Sequence, residues 1–209
     1  MSLVEKLQKR AAIKKFDPSK KISTEQLDQL QSAIQLAPSS LGLQSFKVIV
    51  VQDPETRAKL RAAGYNQAQI TDASALFVFA SLTTLDEAFG KKFIDLVADT
   101  RSVDRASLEG FEQMILGTLS SRTDDQKLAW SHKQTYIALG VLVSEAAELG
   151  IDAAPMEGFD AAQFDEILGL KEKGLTTSVI AAVGFRAEDD VYSKMIKVRR
   201  PKSELFIHV

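Results

Sequence analysis

Two short basic clusters lie near opposite ends of the chain, Lys9-Arg10-Ala11-Ala12-Ile13-Lys14-Lys15 and Lys197-Val198-Arg199-Arg200-Pro201. Arg10 and Lys14 are four residues apart, so a helical or turn-like local chain puts them on one side. A guanidinium offers a two-pronged donor fork to phosphate, and an ammonium offers a compact charge. The clusters could converge on one phosphate, or each could be a solvated basic helix end; spacing leaves both readings open. A third stretch, Pro38-Ser39-Ser40-Leu41-Gly42-Leu43-Gln44, has the form of a helix-stop loop. A fourth, NQAQITDAS from Asn66 to Ser74, is rich in amides. Amides both donate and accept, which suits a ring of alternating carbonyl and N–H groups, and equally suits caps and turns. The fifth is Pro155-Met156-Glu157-Gly158, set between an apolar approach and a fresh helix. An ordinary turn has no use for a carboxylate between Met and Gly.

Other chemistries are poorly supplied. The chain has no cysteine, which removes disulfides, thiolate nucleophiles and cysteine-based metal sites. His132 and His208 are the only histidines, too few and too far apart for a histidine metal centre or a Ser–His–Asp triad. His132, among polar neighbours at a helix start, reads as a surface histidine. No phosphate-loop, dinucleotide or nucleophile-elbow motif is present. An enzyme with this inventory needs a bound cofactor to carry its chemistry. No metal is expected. The net charge of −2 gives no general attraction to nucleic acid, and none is expected as a partner. No apolar run reaches the length of a membrane span, and MSLVEKLQKR has no apolar signal core, so a cytoplasmic protein without a membrane partner is expected.

The elements that must position these residues follow from patterning. Leu3, Val4 and Leu7 share a helical face in the opening segment. Ser23 and Gln26 form a capping box for a helix reaching Ala37, and Pro38 stops it. FKVIVVQ, Phe46 to Gln52, reads as a strand buried on both faces, as do ALFVFAS, Ala75 to Ser81, and TTSVIAAVGF, Thr176 to Phe185. Asp53-Pro54 opens a helix ending at Gly64. Residues 84–120 read as helical with polar interruptions, a lid or a partner-facing excursion, and Phe89, Phe93 and Phe111 within them read as core in preference to lining a substrate entrance. The longest helix spans about Asp125–Leu149 with an unusually wide apolar stripe, and Asp160 and Gln163 cap a short one after it. Apolar content of 45% over 209 residues and the lack of repeats or linkers make one α+β domain over residues 1–209.

Taken in order, KRAAIKKFDPSKKIS, APSSLGLQSFKVIVV, NQAQITDAS, IDAAPMEGFD with LKEKG, and the closing VGF and KVRRP resemble the FMN-dependent nitroreductase family. The match is closest to the oxygen-insensitive NAD(P)H nitroreductases of bacteria and covers essentially the whole chain. The resemblance implies a three-layer fold with a central mixed, mainly antiparallel sheet flanked by helices. It also implies a homodimer with FMN at the interface and the tail after Pro201 wrapped on the partner. Arg10 and Lys14 with Lys197 and Arg199 would hold the FMN phosphate and ribityl chain. Asn66 and Gln69 would meet the polar edge of the isoalloxazine, and Pro38, Ser39, Ser40 and Gly42 would reach the flavin of the other subunit. Pro155 and Met156 would pack on one ring face, with Glu157 and Gly158 near N5. No side chain is assigned as catalytic: NADH or NADPH and a small-molecule electron acceptor would take turns on the open ring face, a ping-pong hydride transfer to nitroaromatics, quinones or similar electrophiles. Three departures bear on flavin affinity and potential. Ala11 and Ala12 stand where a basic or imidazole residue and a serine are frequent, leaving backbone N–H groups there; Gln69 replaces a lysine of some relatives, and Ser45 a frequent proline. Two other readings stand beside this one: a specialised flavoenzyme with another acceptor, and a non-catalytic flavin-binding or regulatory protein.

Overall fold

The computed structural model describes residues 1–209. The helices begin where their capping residues lie. A short α1 (Leu3–Lys9) precedes α2 (Thr24–Gln35), whose N-cap Ser23 exchanges bonds with Gln26. Strand β1 (Phe46–Val51) leads to α3 (Pro54–Ala63), capped by Asp53 with proline in its first turn, and then to the single-turn α4 (Gln69–Asp72). Strand β2 (Ala75–Leu82) is followed by the helical excursion α5 (Glu87–Arg101) and α6 (Glu109–Ser120). Helix α7 (Asp124–Glu148) has its own capping box at Thr123 and Gln126. The chain closes with β3 (Asp152–Met156), α8 (Ala161–Leu168), β4 (Leu175–Gly184) and α9 (Lys202–Leu205).

The four strands form one sheet in the order β1-β2-β4-β3. The sheet expected to be mixed and mainly antiparallel is antiparallel at every pairing within the chain. The pleat sends alternate side chains of the central strands to opposite faces. Phe77, Phe79, Val179 and Ala181 face α2 and α7, packing on Leu30, Ile34, Ala138 and Leu142. Leu76, Val78, Ile180 and Ala182 face α3, α4 and α8, packing on Leu60, Ile70 and Phe164, with Ile13 and Phe16 of the N-terminal segment added. Helix, sheet and helix make the three layers of an α+β domain.

Three expectations need correction. β1, read as buried on both faces, is an edge strand and only half-buried until Val51. Its apolar run matches that of β2, but β2 has a strand on each side and β1 does not. Pro155 and Met156, read as the start of a turn, end a fourth strand, with Pro155 opposite Ala181. An edge strand tolerates a residue that has no N–H to donate, which is why proline can sit there. His132 is not on the surface at a helix start. α7 begins two turns earlier, which points His132 at the sheet, half-buried, with Nδ1 2.9 Å from Ser81 Oγ. Desolvation there holds its pKa below the usual imidazole value.

The excursion packs on itself. Leu85, Ile94, Ile115 and Leu119 form a separate core against Leu43, with Phe89, Phe93 and Phe111 packed around it. Phe93 and Phe111 meet edge-on with centroids 6.2 Å apart. Gly90 is what lets α5 and α6 approach: a Cβ there would lie 3.0 Å from Leu116 and 3.2 Å from Ile115. The wide stripe of α7 divides in two. Ser131, Gln134, Thr135, Ala138, Leu139, Leu142 and Ala146 are buried, while Tyr136 and Ile137 remain exposed on the other side. No helix is long and apolar enough to cross a membrane.

Candidate functional site: a cationic pocket beside a clasped strand end

The two basic clusters converge. Arg10, Ala11, Ala12 and Lys14 line one pocket of ≈ 680 Å³ with Lys197 and Arg199. Long-range pairing of the chain ends brings them there. Phe16 bridges to Arg186, the Asp17 N–H donates to the Phe185 carbonyl at 2.8 Å, and the Ala187 N–H donates to the Lys15 carbonyl at 3.0 Å. Asp190 then ties the first cluster to the turn that leads into the second. One carboxylate oxygen accepts from the backbone N–H groups of Lys14 (3.1 Å) and Lys15 (3.0 Å), and the other accepts from that of Ser193 (2.7 Å). Asp190 is 1% exposed. Burial pushes its pKa up, but the N–H donors of Ser193, Lys14 and Lys15 outweigh burial and leave it below the ordinary aspartate value.

The charges in the pocket call for an anion. Its lining carries Lys9, Arg10, Lys14, Arg186, Lys197 and Arg199 and not one carboxylate. Arg186 is answered from outside the lining by Asp152, through Nε at 3.0 Å and Nη2 at 2.5 Å. Arg10 is not so answered: its Nε is buried with no hydrogen-bond partner. Burial and then repulsion from Arg199 lower the Arg10 pKa, against a smaller pull from Asp152. Burial, Arg10 and Arg199 do the same to Lys197, whose ammonium also donates to the Leu7 carbonyl at the end of α1. The backbone N–H groups of Ala11 and Ala12 have no acceptor within the chain. An orphaned guanidinium N–H, two free backbone donors and mutually repelling cations fit a phosphate monoester.

A second group of expected residues gathers where β3 ends. Gln67, which nothing in the sequence sets apart from its neighbouring amides, donates from Nε2 to the Gly158 carbonyl at 2.6 Å and to the Gly64 carbonyl at 3.0 Å. It thereby fixes the Glu157–Gly158 segment to the amide-rich turn that holds Asn66. Tyr65 and Asn66 are both left-handed (φ 54° and 58°), and the Asn66 Oδ1 accepts from Arg61 Nε at 3.0 Å. Gln69 starts α4 and is buried. Glu157 is exposed and accepts from the Tyr136 hydroxyl at 2.7 Å. Burial first, and that bond to the carboxylate second, push the Tyr136 pKa up to about 12. Gly158 is not a requirement of the chain itself, since its φ is not left-handed and a Cβ there would sit 3.5 Å from Gln67 Nε2, an ordinary contact.

The Pro38–Gly42 loop is not part of either group within the chain. It packs against α5 and α7, with the Ser40 N–H donating to Gln134 Oε1 at 2.8 Å and Gly42 (φ 74°) held close to Phe93. Pro38 and Ser40 are exposed.

The fold is an α+β domain, and its pocket gathers six cationic side chains and no carboxylate. A model of the nitroreductase family matches residues 7–185, and the chain belongs to that family. It is 32% identical to the oxygen-insensitive NAD(P)H nitroreductase of Enterobacter cloacae over 98% of both chains. It is also 32% identical to the protein of that name from Salmonella typhimurium, over 96% of both. Among solved structures it superposes on a nitroreductase family protein of Streptococcus pneumoniae with a TM-score of 0.84 at 22% identity, covering all of both chains. A protein of Exiguobacterium sibiricum solved in complex with FMN superposes with a TM-score of 0.83 at 20% identity, over 100% of this chain and 98% of that one.

Proposed function

We propose that the chain is an FMN-dependent oxidoreductase that takes electrons from NADH or NADPH and passes them to nitroaromatics, quinones or similar electrophilic small molecules. The observation that carries this is the carboxylate-free cationic pocket with the orphaned Arg10 Nε, in a chain of the nitroreductase family. Bound FMN would supply the redox chemistry, reduced by the nicotinamide and reoxidised by the acceptor in separate half-reactions, which is ping-pong kinetics. The chain's own residues bind and orient. Arg10, Lys14, Lys197 and Arg199, with the N–H groups of Ala11 and Ala12, hold the phosphate and ribityl chain. Asn66 and Gln69 serve the polar edge of the ring, Pro155 and Met156 one of its faces, and Glu157 and Gly158 its reactive edge. None of them acts as a nucleophile. Denaturing purified protein and chromatographing the released pigment tests the assignment: FMN is expected, and FAD, or no flavin after reconstitution, contradicts it.

The same reading makes the active unit a homodimer, with Pro38, Ser39, Ser40 and Gly42 serving the partner's flavin. What supports it is apolar surface that one chain leaves uncovered: Leu36 (82% exposed) and Ile137 on the helical layer, and Leu205, Phe206 and Ile207 (89%) in the tail. Covering the three tail side chains on a partner would contribute about 1.5–3 kcal/mol each when fully buried. Deletion of Ser203–Val209 is therefore expected to weaken dimer and FMN retention together. Light scattering that finds a stable, yellow, active monomer of the full chain at micromolar concentration would contradict the shared site.

A further inference from the structure

The end of β3 is held from both helical layers. From the side of α3 and α4, Gln67 Nε2 holds the Gly158 carbonyl and so fixes the backbone. From the α7 side, Tyr136 donates its hydroxyl to Glu157 Oε1 across 21 residues of chain. That bond is the only one the Glu157 carboxylate makes within the chain. An exposed glutamate otherwise samples several rotamers and spreads its charge over a wide arc of solvent. A hydrogen bond from a neutral hydroxyl to a carboxylate is charge-assisted, and it confines one oxygen while leaving the other without a protein partner. Tyr136 lies on the half of the α7 stripe that does not pack on the sheet, so core packing does not account for it.

We propose that Tyr136 is a positioning residue that fixes the Glu157 carboxylate at the reactive edge of the flavin and, through that fixed group, holds the flavin's reduction potential down. The inference rests on the functional reading above, which places Glu157 at that edge. The physical reason is like-charge repulsion. Reduction adds negative charge to the ring, a carboxylate held nearby opposes it, and a carboxylate swinging in solvent opposes it less.

Equilibrium redox titration of the FMN-loaded protein against a reference dye tests the idea. Glu157→Gln removes the charge and is expected to favour reduction by about threefold to tenfold, a positive shift of ~15–30 mV for a two-electron couple. Tyr136→Phe is expected to give about half that shift in the same direction. In the Glu157→Gln background, Tyr136→Phe should add nothing, because a positioning residue acts only through the charge it positions. Equal shifts from Tyr136→Phe in both backgrounds, or none in the native one, overturn the proposal. A second measurement needs no flavin: carbon-13 resonances of ring-labelled tyrosine, of which the chain has three. Glu157→Gln should move the Tyr136 resonance and leave Tyr65 and Tyr192 in place, and a Tyr136 signal that stays put overturns the bond itself. Protein that retains no FMN overturns the functional reading, and the potential claim with it, while the tyrosine signal still decides the Tyr136–Glu157 pair on its own.

Discussion

Asp190→Ala is expected to destabilise the apoprotein by about 3 kcal/mol and to take most of its FMN affinity as well. The carboxylate is buried and accepts from three backbone N–H groups, two in the N-terminal basic segment and one, that of Ser193, in the turn leading to the C-terminal one. Removing it leaves those donors without an acceptor, at about 1–3 kcal/mol for each one that stays buried. For a chain of this length, 3 kcal/mol is roughly 6–12 °C in Tm. Asn at this position should recover only part of the loss, since its amide oxygen can accept from Lys14 and Lys15 or from Ser193, while its NH2 group faces the remaining N–H. The effect has a pH signature. The folded pKa of Asp190 lies below its ordinary value, so the contribution is complete above the unfolded value of about 3.9 and disappears as pH falls through the lower folded value. The stability gap between native and Asp190→Ala protein should therefore be constant from neutral pH down to about 4 and close below it. Thermal melts over that range check both points, and a Tm shift under about 2 °C with full FMN retention would show that the two segments do not depend on this clasp.

The second large effect has opposite signs in apo and loaded protein. Arg10→Ala is expected to weaken FMN binding by roughly tenfold to a hundredfold, the range of one or two hydrogen bonds between charged groups. Without FMN, the same substitution removes a buried, unpartnered Nε and a cation repelled by Arg199, so the apoprotein should be no less stable than the native one. Arg10→Lys keeps a charge but loses the fork, and should lie between the two in affinity. Titration of apoprotein with FMN, paired with melts at saturating and zero FMN, separates the signs. An apoprotein destabilised as much as the loaded one would mean that Arg10 supports the fold and not an anion.

These residues differ in how far the sequence alone reveals them. The helices with Ser23–Gln26, Asp53–Pro54 and Asp160–Gln163 caps were legible because capping is local: the donor, the acceptor and the helix they start lie within four residues. The central strands were legible because a strand covered on both faces must be apolar throughout. The same pattern misled at β1, since whether a strand has one neighbour or two is decided by chain far away. β3 was hidden by its shortness and by Pro155, a residue read as a break until its edge position is known. At the site, Arg10, Lys14, Lys197 and Arg199 were legible as residue types, while their meeting was not. Asp190 sits in the run AEDD, which reads as a solvated acidic turn, and Asp152, though it lies in IDAAPMEGFD, carries no local sign of its pairing with Arg186. Gln67 was one of several amides and carried no mark to set it apart from Asn66 and Gln69. In the sequence Tyr136 is one more ring beside Ile137 in the stripe of α7, and only the three-dimensional approach of Glu157 gives its hydroxyl a purpose.

Anaerobic mixing of the purified, yellow protein with NADH and with NADPH, followed by addition of a nitroaromatic or a quinone, is the decisive test of electron transfer through bound FMN. At least one nicotinamide is expected to bleach the flavin in a single turnover, and the acceptor to restore the colour after the oxidised nicotinamide has been removed by gel filtration. A flavin that neither nicotinamide reduces, or a reduced protein that no electrophilic acceptor reoxidises, would contradict electron transfer through FMN.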